Sequence, residues 1–255
     1  MKKLSLLIAL CFSVFTMAQE KQFLEVNYQM EMDMELEEVM KNVPSQYRAM
    51  VEDQIKQELE DGVFLDYVLK TNGNESSYKM VDQITNAQDQ GGMIAQQMKQ
   101  FDKGVLYKNI EANEYRKPVE VPGTQYLIQD TLTDFHWTVT REKENIAGFE
   151  TRKANGYFVY QNDTINAVAW FAPKIAIKDG PSNLWGLPGL ILKSEFKMNG
   201  ADVTVLAKKV MVKEEEIKIE KPEDGKVVTQ SEFEAEIKAL QEKYKAMMQE
   251  GVDTE

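Results

Sequence analysis

Two Asn-Gly pairs, each set between runs of alternating apolar and polar residues, constrain this chain more than any other feature. Asn72-Gly73 separates Phe64–Lys70 from Ser76–Ile84, and Asn199-Gly200 separates Leu190–Met198 from Asp202–Val212. Both residue types tolerate the positive φ of a tight hairpin turn, so each pair predicts two strands folded back antiparallel. Asn162-Asp163 predicts a similar turn between Tyr157–Tyr160 and Ile165–Phe171. Further strand-like runs are Phe23–Met34, Gly104–Ile110, Tyr115–Val121, Gln125–Gln129, Phe135–Thr140 and Ala147–Ala154. Strands that follow one another through short polar turns predict a meander, not βαβ units.

Helical period occurs in two places. After Pro44, the residues Tyr47, Val51, Ile55 and Leu59 recur every four positions until Gly62. Ser231-x-x-Glu234 reads as a capping box, followed by the stripe Phe233, Ile237, Leu240, Tyr244 and Met247. A weaker third helix is expected over Met93–Phe101. The acidic stretch Lys213–Asp224 reads as a mobile connection. The fold class is therefore α+β: one predominantly antiparallel, curved, half-barrel-like sheet with two or three packed helices, in a single domain over residues 19–255.

The first eighteen residues have the three parts of an export signal: Lys2-Lys3, the apolar run Leu4–Phe15, and a small residue, Ala18, at the expected cut. No later run approaches the ~20 apolar residues of a membrane-spanning helix, so a periplasmic or secreted product is expected. The only cysteine, Cys11, lies inside the signal, so a chain cut after Ala18 has no disulfide or thiol nucleophile. That chain keeps 28 Lys and Arg against 42 Asp and Glu, a net charge of −14, which excludes a nucleic-acid footprint.

The least ordinary segment runs from Ala169-Trp170-Phe171 through Gly180-Pro181 to Trp185-Gly186-Leu187-Pro188-Gly189-Leu190-Ile191-Leu192. Pro188-Gly189 suits the centre of a type II turn. Turns are normally polar because they face water, yet this one is crowded with Leu and Trp and must be covered. The passage resembles the GLPGLI family of bacterial envelope proteins, whose six residues stand here as Gly186–Ile191. The likeness extends upstream to Gly180-Pro181, Trp170 and Ile146–Ala154. Thr151 departs from it, since many members carry cysteine there. The resemblance implies a secreted β-rich protein and association with outer-membrane uptake machinery; it implies no activity.

Trp185, Leu187, Pro188, Gly189, Leu190 and Trp170 are therefore the candidate binding residues. Either they seal one end of the sheet, or they form the mouth of a pocket for an apolar small molecule or a dock for an outer-membrane transport protein. No catalytic residue and no cofactor is assigned. His136 is the sole histidine and lacks the partners of a triad; no phosphate loop or dinucleotide fingerprint occurs. Met30, Met32 and Met34 share one face of a strand, as a Met-lined core or a soft Cu(I) site. A carboxylate-dependent hydrolase is the remaining alternative, because 42 acids make close pairs inevitable. Asp130-Thr131-Leu132 and Asp163-Thr164-Ile165 also resemble a short O-glycosylation acceptor motif.

Overall fold

A computed structural model of the chain describes residues 22–41, 43–81, 92–160 and 163–250, with side chains through residue 243 apart from that of Phe101. The export segment with Cys11 and Ala18 lies outside the described residues, as do Ile84, Asn162 and the side chains of Tyr244 and Met247.

Two antiparallel runs of strands build one sheet. The first comprises β1 (Phe23–Met34), β2 (Val63–Thr71), β3 (Glu75–Met80), β4 (Leu106–Asn109), β5 (Glu114–Val121) and β6 (Thr124–Asp130). The second comprises β7 (His136–Ile146), β8 (Phe149–Tyr160), β9 (Asp163–Ala172), β10 (Leu190–Met198) and β11 (Ala201–Lys213). They join where β11 pairs with β1, so the first strand sits in the middle of an open, curved sheet rather than at the edge of a single meander. A short β12 (Lys226–Val228) adds the one parallel pairing among the described strands, against β6. A parallel partner needs a return crossing, and residues 214–225 supply it. That stretch, expected to be a loose connection, is held by Lys79 to Glu220 at 3.6 Å and by Lys221 over the Tyr107 ring.

Alternation explains the core. Leu24, Val26, Tyr28 and Met32 of β1, Val63, Leu65, Tyr67 and Leu69 of β2, and Val203, Val205 and Ala207 of β11 are all buried on one face. Met30 and Met34 pack against the same cluster. The intervening Glu31 and Asp33 are exposed, as expected for strands with one wet face. Tyr67 and Tyr78 stack at 4.7 Å inside this core, and Tyr28 meets Tyr78 edge-on.

Four helices are described: α1 (Leu36–Lys41), a short one that buries no residue, and α2 (Ser45–Asp61), α3 (Met93–Phe101) and α4 (Gln230–Glu250). The α2 stripe does not lie wholly on the sheet: Ile55 is buried, but Tyr47 is exposed and Met50 is 72% exposed. Instead α2 caps a neighbour, Glu58 accepting from the backbone N–H groups of Ile94 and Ala95 at the start of α3, both at 3.0 Å. In α4, Phe233 packs edge-on against Tyr126 of β6. Its capping box lies two residues before the expected one. Thr229 Oγ1 accepts from Glu232 N, while Glu232 Oε2 accepts from Thr229 N at 2.8 Å.

Asn199-Gly200 forms a tight turn with both φ positive (52° and 79°). Asn72-Gly73 belongs to a three-residue loop, because Asn72 Oδ1 accepts from the N–H groups of Asn74 and Glu75 and lengthens it. One hairpin was not expected. Ala147-Gly148, both at positive φ, turns β7 into β8, and the runs Ala147–Ala154 and Tyr157–Tyr160 become one strand. β7 is an outer edge of the sheet. Its register with β8 slips between Val139 and Lys143, and Glu142 and Lys143 pair there with Lys153 and Glu150.

Candidate functional site

The segment between β9 and β10 folds back over the concave face and fills it. Leu187 is 1% exposed, and Leu190, Ile191 and Leu192 are fully buried. Leu184 and Leu187 pack with Ala154, Ala169, Phe171 and Ile191, under Phe135 and Trp137. Ile175 and Ile177 join the main core on the other side of the loop. The greasy bend is thus shielded by its own sheet.

Its turn differs from the expected type II. Gly189 N donates to Leu187 O at 2.8 Å, closing a three-residue turn, and Leu190 N donates to Ile175 O instead of back to Leu187. Gly189 has φ +155°, and a Cβ there would stand 2.4 Å from the carbonyl oxygen of Ala172. Only glycine lets β10 leave the loop this close to the end of β9.

A buried ion pair fastens the loop from the opposite half of the sheet. Lys108, on the inward face of β4, and Asp179, in the loop, are both 0% exposed, with Nζ 2.6 Å from Oδ1. Nζ also donates to Gly180 O at 2.8 Å and Leu184 O at 3.2 Å, so all three ammonium hydrogens have acceptors. Burial pulls the Lys108 ammonium below its ordinary pKa, and Asp179 pulls it back up. Asp179 Oδ1 also accepts from Gly180 N, while Oδ2 is buried without a partner. The Tyr28 phenol, donating to Ile191 O at 2.6 Å, is held well above its usual pKa by burial and then by Asp179.

Two indole N–H groups fasten the outer side of the loop. Trp185 Nε1 donates to Thr133 O at 2.7 Å, and Trp137 Nε1 donates to Trp185 O at 2.9 Å. Trp185 thereby ties the loop to the connection between β6 and β7. Beside that tie opens a cleft of about 670 Å³ between the β6–β7 connection, the end of β8 and the start of α4. Its walls carry Asp130, Asp134 and Glu234, the phenols of Tyr115 and Tyr160, His136 and Asn183. Asp130 is organised by the N–H groups of Thr131 and Gln230, and Glu234 accepts from Gln230 Nε2 at 2.7 Å. His136 stacks on Tyr157 and reaches Asp134 at 3.6 Å. Burial, followed by Asp130 and Glu234, raises the Tyr115 phenol; burial, followed by Glu234, raises that of Tyr160.

The candidate binding residues are only partly brought together. Leu187, Gly189 and Leu190 lie inside the plug, Pro188 is exposed at its tip, and Trp185 is half-buried on its flank. Trp170 alternates with Ala169 and Phe171, packs with the main core, and has Lys153 Nζ 5.8 Å from its ring, so it does not meet Leu187. Met30, Met32 and Met34 pack in the hydrophobic cluster. Sequence reasoning missed Lys108, Asp179 and the cleft. Asp179-Gly180-Pro181 reads only as a turn, because its residue types are those of turns whether or not the acid is buried. Nothing local marks Lys108, whose partner is 71 residues away.

Residues 139–193 match a family model described as a protein of unknown function (Porph_ging). No curated protein matches the chain. Among solved structures, the fold is similar to that of PNGF-II, with a TM-score of 0.51 at 16% identity over 84% of this chain. The chain spans 32% of the length of that structure. In a second crystal form of PNGF-II the TM-score is 0.46 at 19% identity, over 82% of this chain and 32% of that one. An outer membrane lipoprotein-sorting protein domain from Vibrio parahaemolyticus gives 0.30 at 7% identity, over 77% of this chain and 87% of that one. At these identities the PNGF-II likeness is one of fold.

Proposed function

We propose that this chain is a non-catalytic binding module of the bacterial envelope, and that its ligand surface is the open cleft beside the plug. The contrast between two neighbouring places carries the reading. The concave face under the apolar loop is packed with the buried side chains of Leu184, Leu187 and Ile191. The adjoining cleft is open, has the volume of a small-molecule site and is lined by convergent polar groups. Trp185, Leu187, Pro188, Gly189 and Leu190 then serve binding indirectly, by holding the loop that carries Asn183 against Thr133. Export, GLPGLI membership and service to an outer-membrane transport protein belong to the same proposal. They are supported by the three-part leader and by the six residues Gly186–Ile191, which fall within the matched segment.

A carboxylate-dependent hydrolase is the second reading, since Asp130, Asp134 and Glu234 share one cleft. It is weaker. Asp130 and Glu234 are both engaged on the start of α4 and its approach, Asp130 accepting from Thr131 N and Gln230 N and Glu234 from Gln230 Nε2.

The test is a crystallographic fragment screen combined with titration of a hydrophobic dye. Fragments are expected in the cleft, with no dye taken up beneath the loop. Fragments inserted under Leu187, or a cleft left empty by the whole screen, would overturn the proposal.

A further inference from the structure

We infer that the outer face of the sheet carries a second site, for a small amphiphile with a carboxylate head and an apolar chain; it stands apart from the cleft and does not rest on it. A cavity of about 400 Å³ lies over β1, β2 and β3, against the crossing stretch of residues 214–225, which supplies Glu220 to its wall. Alternation puts it on the side away from the plug. Leu24, Leu69 and Tyr78 face the core, so Glu25, Lys70 and Ser77, register partners across the three strands, face outward. An outward serine is ordinarily wet, yet Ser77 is only 5% exposed. The crossing stretch accounts for that, since Lys221 lies over the ring of Tyr107, the partner of Ser77 in β4. Among the described residues Ser77 Oγ has no hydrogen-bond partner. Unlike the sealed Ser76 Oγ on the core face, it keeps contact with the cavity that its residue lines.

The charges around that hydroxyl leave one cation over. Glu25 faces Lys213 at 3.6 Å and Glu220 faces Lys79 at 3.6 Å, whereas Lys70 has no ion pair or hydrogen bond among the described residues. Lys70 and Ser77 stand directly opposite each other on β2 and β3, close enough to serve one ligand group. A carboxylate accepts from the ammonium with one oxygen and from the hydroxyl with the other. It thereby answers a buried hydroxyl that would otherwise stay unsatisfied at a cost. The remaining wall is apolar: Val68, Met80 and Val81, the last 39% exposed. An attached chain gains by covering these, and a bare inorganic anion would leave them wet. The volume falls toward the small end of the roughly 300–1,000 Å³ of small-molecule sites.

The experiment is calorimetric titration of the full chain with octanoate, with octylamine, which reverses the charge of the head, and with acetate, which lacks the chain. Octanoate is expected to bind saturably and more weakly as salt rises. Octylamine is expected not to bind, and acetate to bind at least about tenfold more weakly than octanoate. Lys70→Met and Ser77→Ala, checked for unchanged circular dichroism and melting temperature, should each weaken octanoate binding about tenfold, the loss of one hydrogen bond to a charged group. Asp134→Asn, in the cleft, should leave it unchanged. Octylamine or acetate binding as tightly as octanoate, octanoate binding indifferent to either outer-face variant, or no octanoate binding at all overturns the inference and leaves the cleft's reading standing. A cleft left empty by the fragment screen overturns that reading and leaves this one.

Discussion

Replacing Lys108 with methionine removes a buried ammonium while nearly preserving side-chain length. The geometry sets the scale. The substitution leaves the Asp179 carboxylate at 0% exposure, with Gly180 N as its only hydrogen-bond donor and with Oδ2 already unpartnered. It also strips a donor from the carbonyls of Gly180 and Leu184. Breaking a buried pair by removing one partner costs about 3–5 kcal/mol, because the survivor stays desolvated. That is a large share of the roughly 5–15 kcal/mol that holds a typical domain folded. Removing both charges together should cost much less. Lys108→Met combined with Asp179→Leu is expected to recover at least about 2 kcal/mol of the loss, since apolar replacements of a buried pair are often neutral. Urea unfolding followed by tryptophan fluorescence suits the question, because two of the three tryptophans, Trp137 and Trp185, hydrogen-bond at the loop. A single variant that loses less than about 1 kcal/mol, or a double variant as unstable as the single, would refute a plug clamped by this pair.

Gly189→Ala should cost about 2 kcal/mol or more, because its Cβ would collide with Ala172 O at 2.4 Å in a backbone region that disfavours side chains; the same urea assay reads the loss. Glu232 and Glu236 have folded pKa values below the ordinary 4.5. Their contribution to seating α4 is therefore present above pH 4.5 and lost as pH falls through the lower folded values. Fluorescence of Tyr126 and hydrogen exchange in the first turn of α4 should show that turn loosening in acid, with Glu236→Gln abolishing part of the dependence. Replacing Met30, Met32 and Met34 together by leucine should leave the fold intact at less than about 1.5 kcal/mol per site, as volume-conserving core swaps do. It should also leave Cu(I) uptake unchanged in a reducing titration; loss of binding would favour the soft-metal reading.

How far the fold could be read from sequence depended on whether the governing interaction was local. The β1 boundaries follow from alternation and the structure keeps them, as it keeps the weaker helix expected over Met93–Phe101. Asn199-Gly200 turns as its residue types dictate. Ala147-Gly148 hid its hairpin because alanine carries no turn signal, and its φ of 50° is imposed by the two long strands it joins. The α4 capping box shifted by two residues because Thr229 follows directly on β12, whose pairing with β6 sets where the helix starts. Burial of the loop was legible, since apolar residues around Pro188-Gly189 had to be covered by something. The means of covering was not. Lys108 and Asp179 meet only after β4 and the loop are brought across the curvature of the sheet. The cleft likewise takes its walls from five separate stretches, and no window of sequence contains them.

The two rims of the sheet bear on how the molecule behaves at high concentration. One rim is a three-residue strand, too short to template a neighbour. The other, β7, runs for eleven residues, yet it kinks where its pairing with β8 slips and carries Arg141, Glu142, Lys143 and Glu144 in succession. A second copy approaching that rim meets a bent backbone and a row of hydrated ions that it would have to dehydrate. The sheet is therefore a dead end for growth in both directions, and a crowded compartment can hold many copies without their zipping into ribbons.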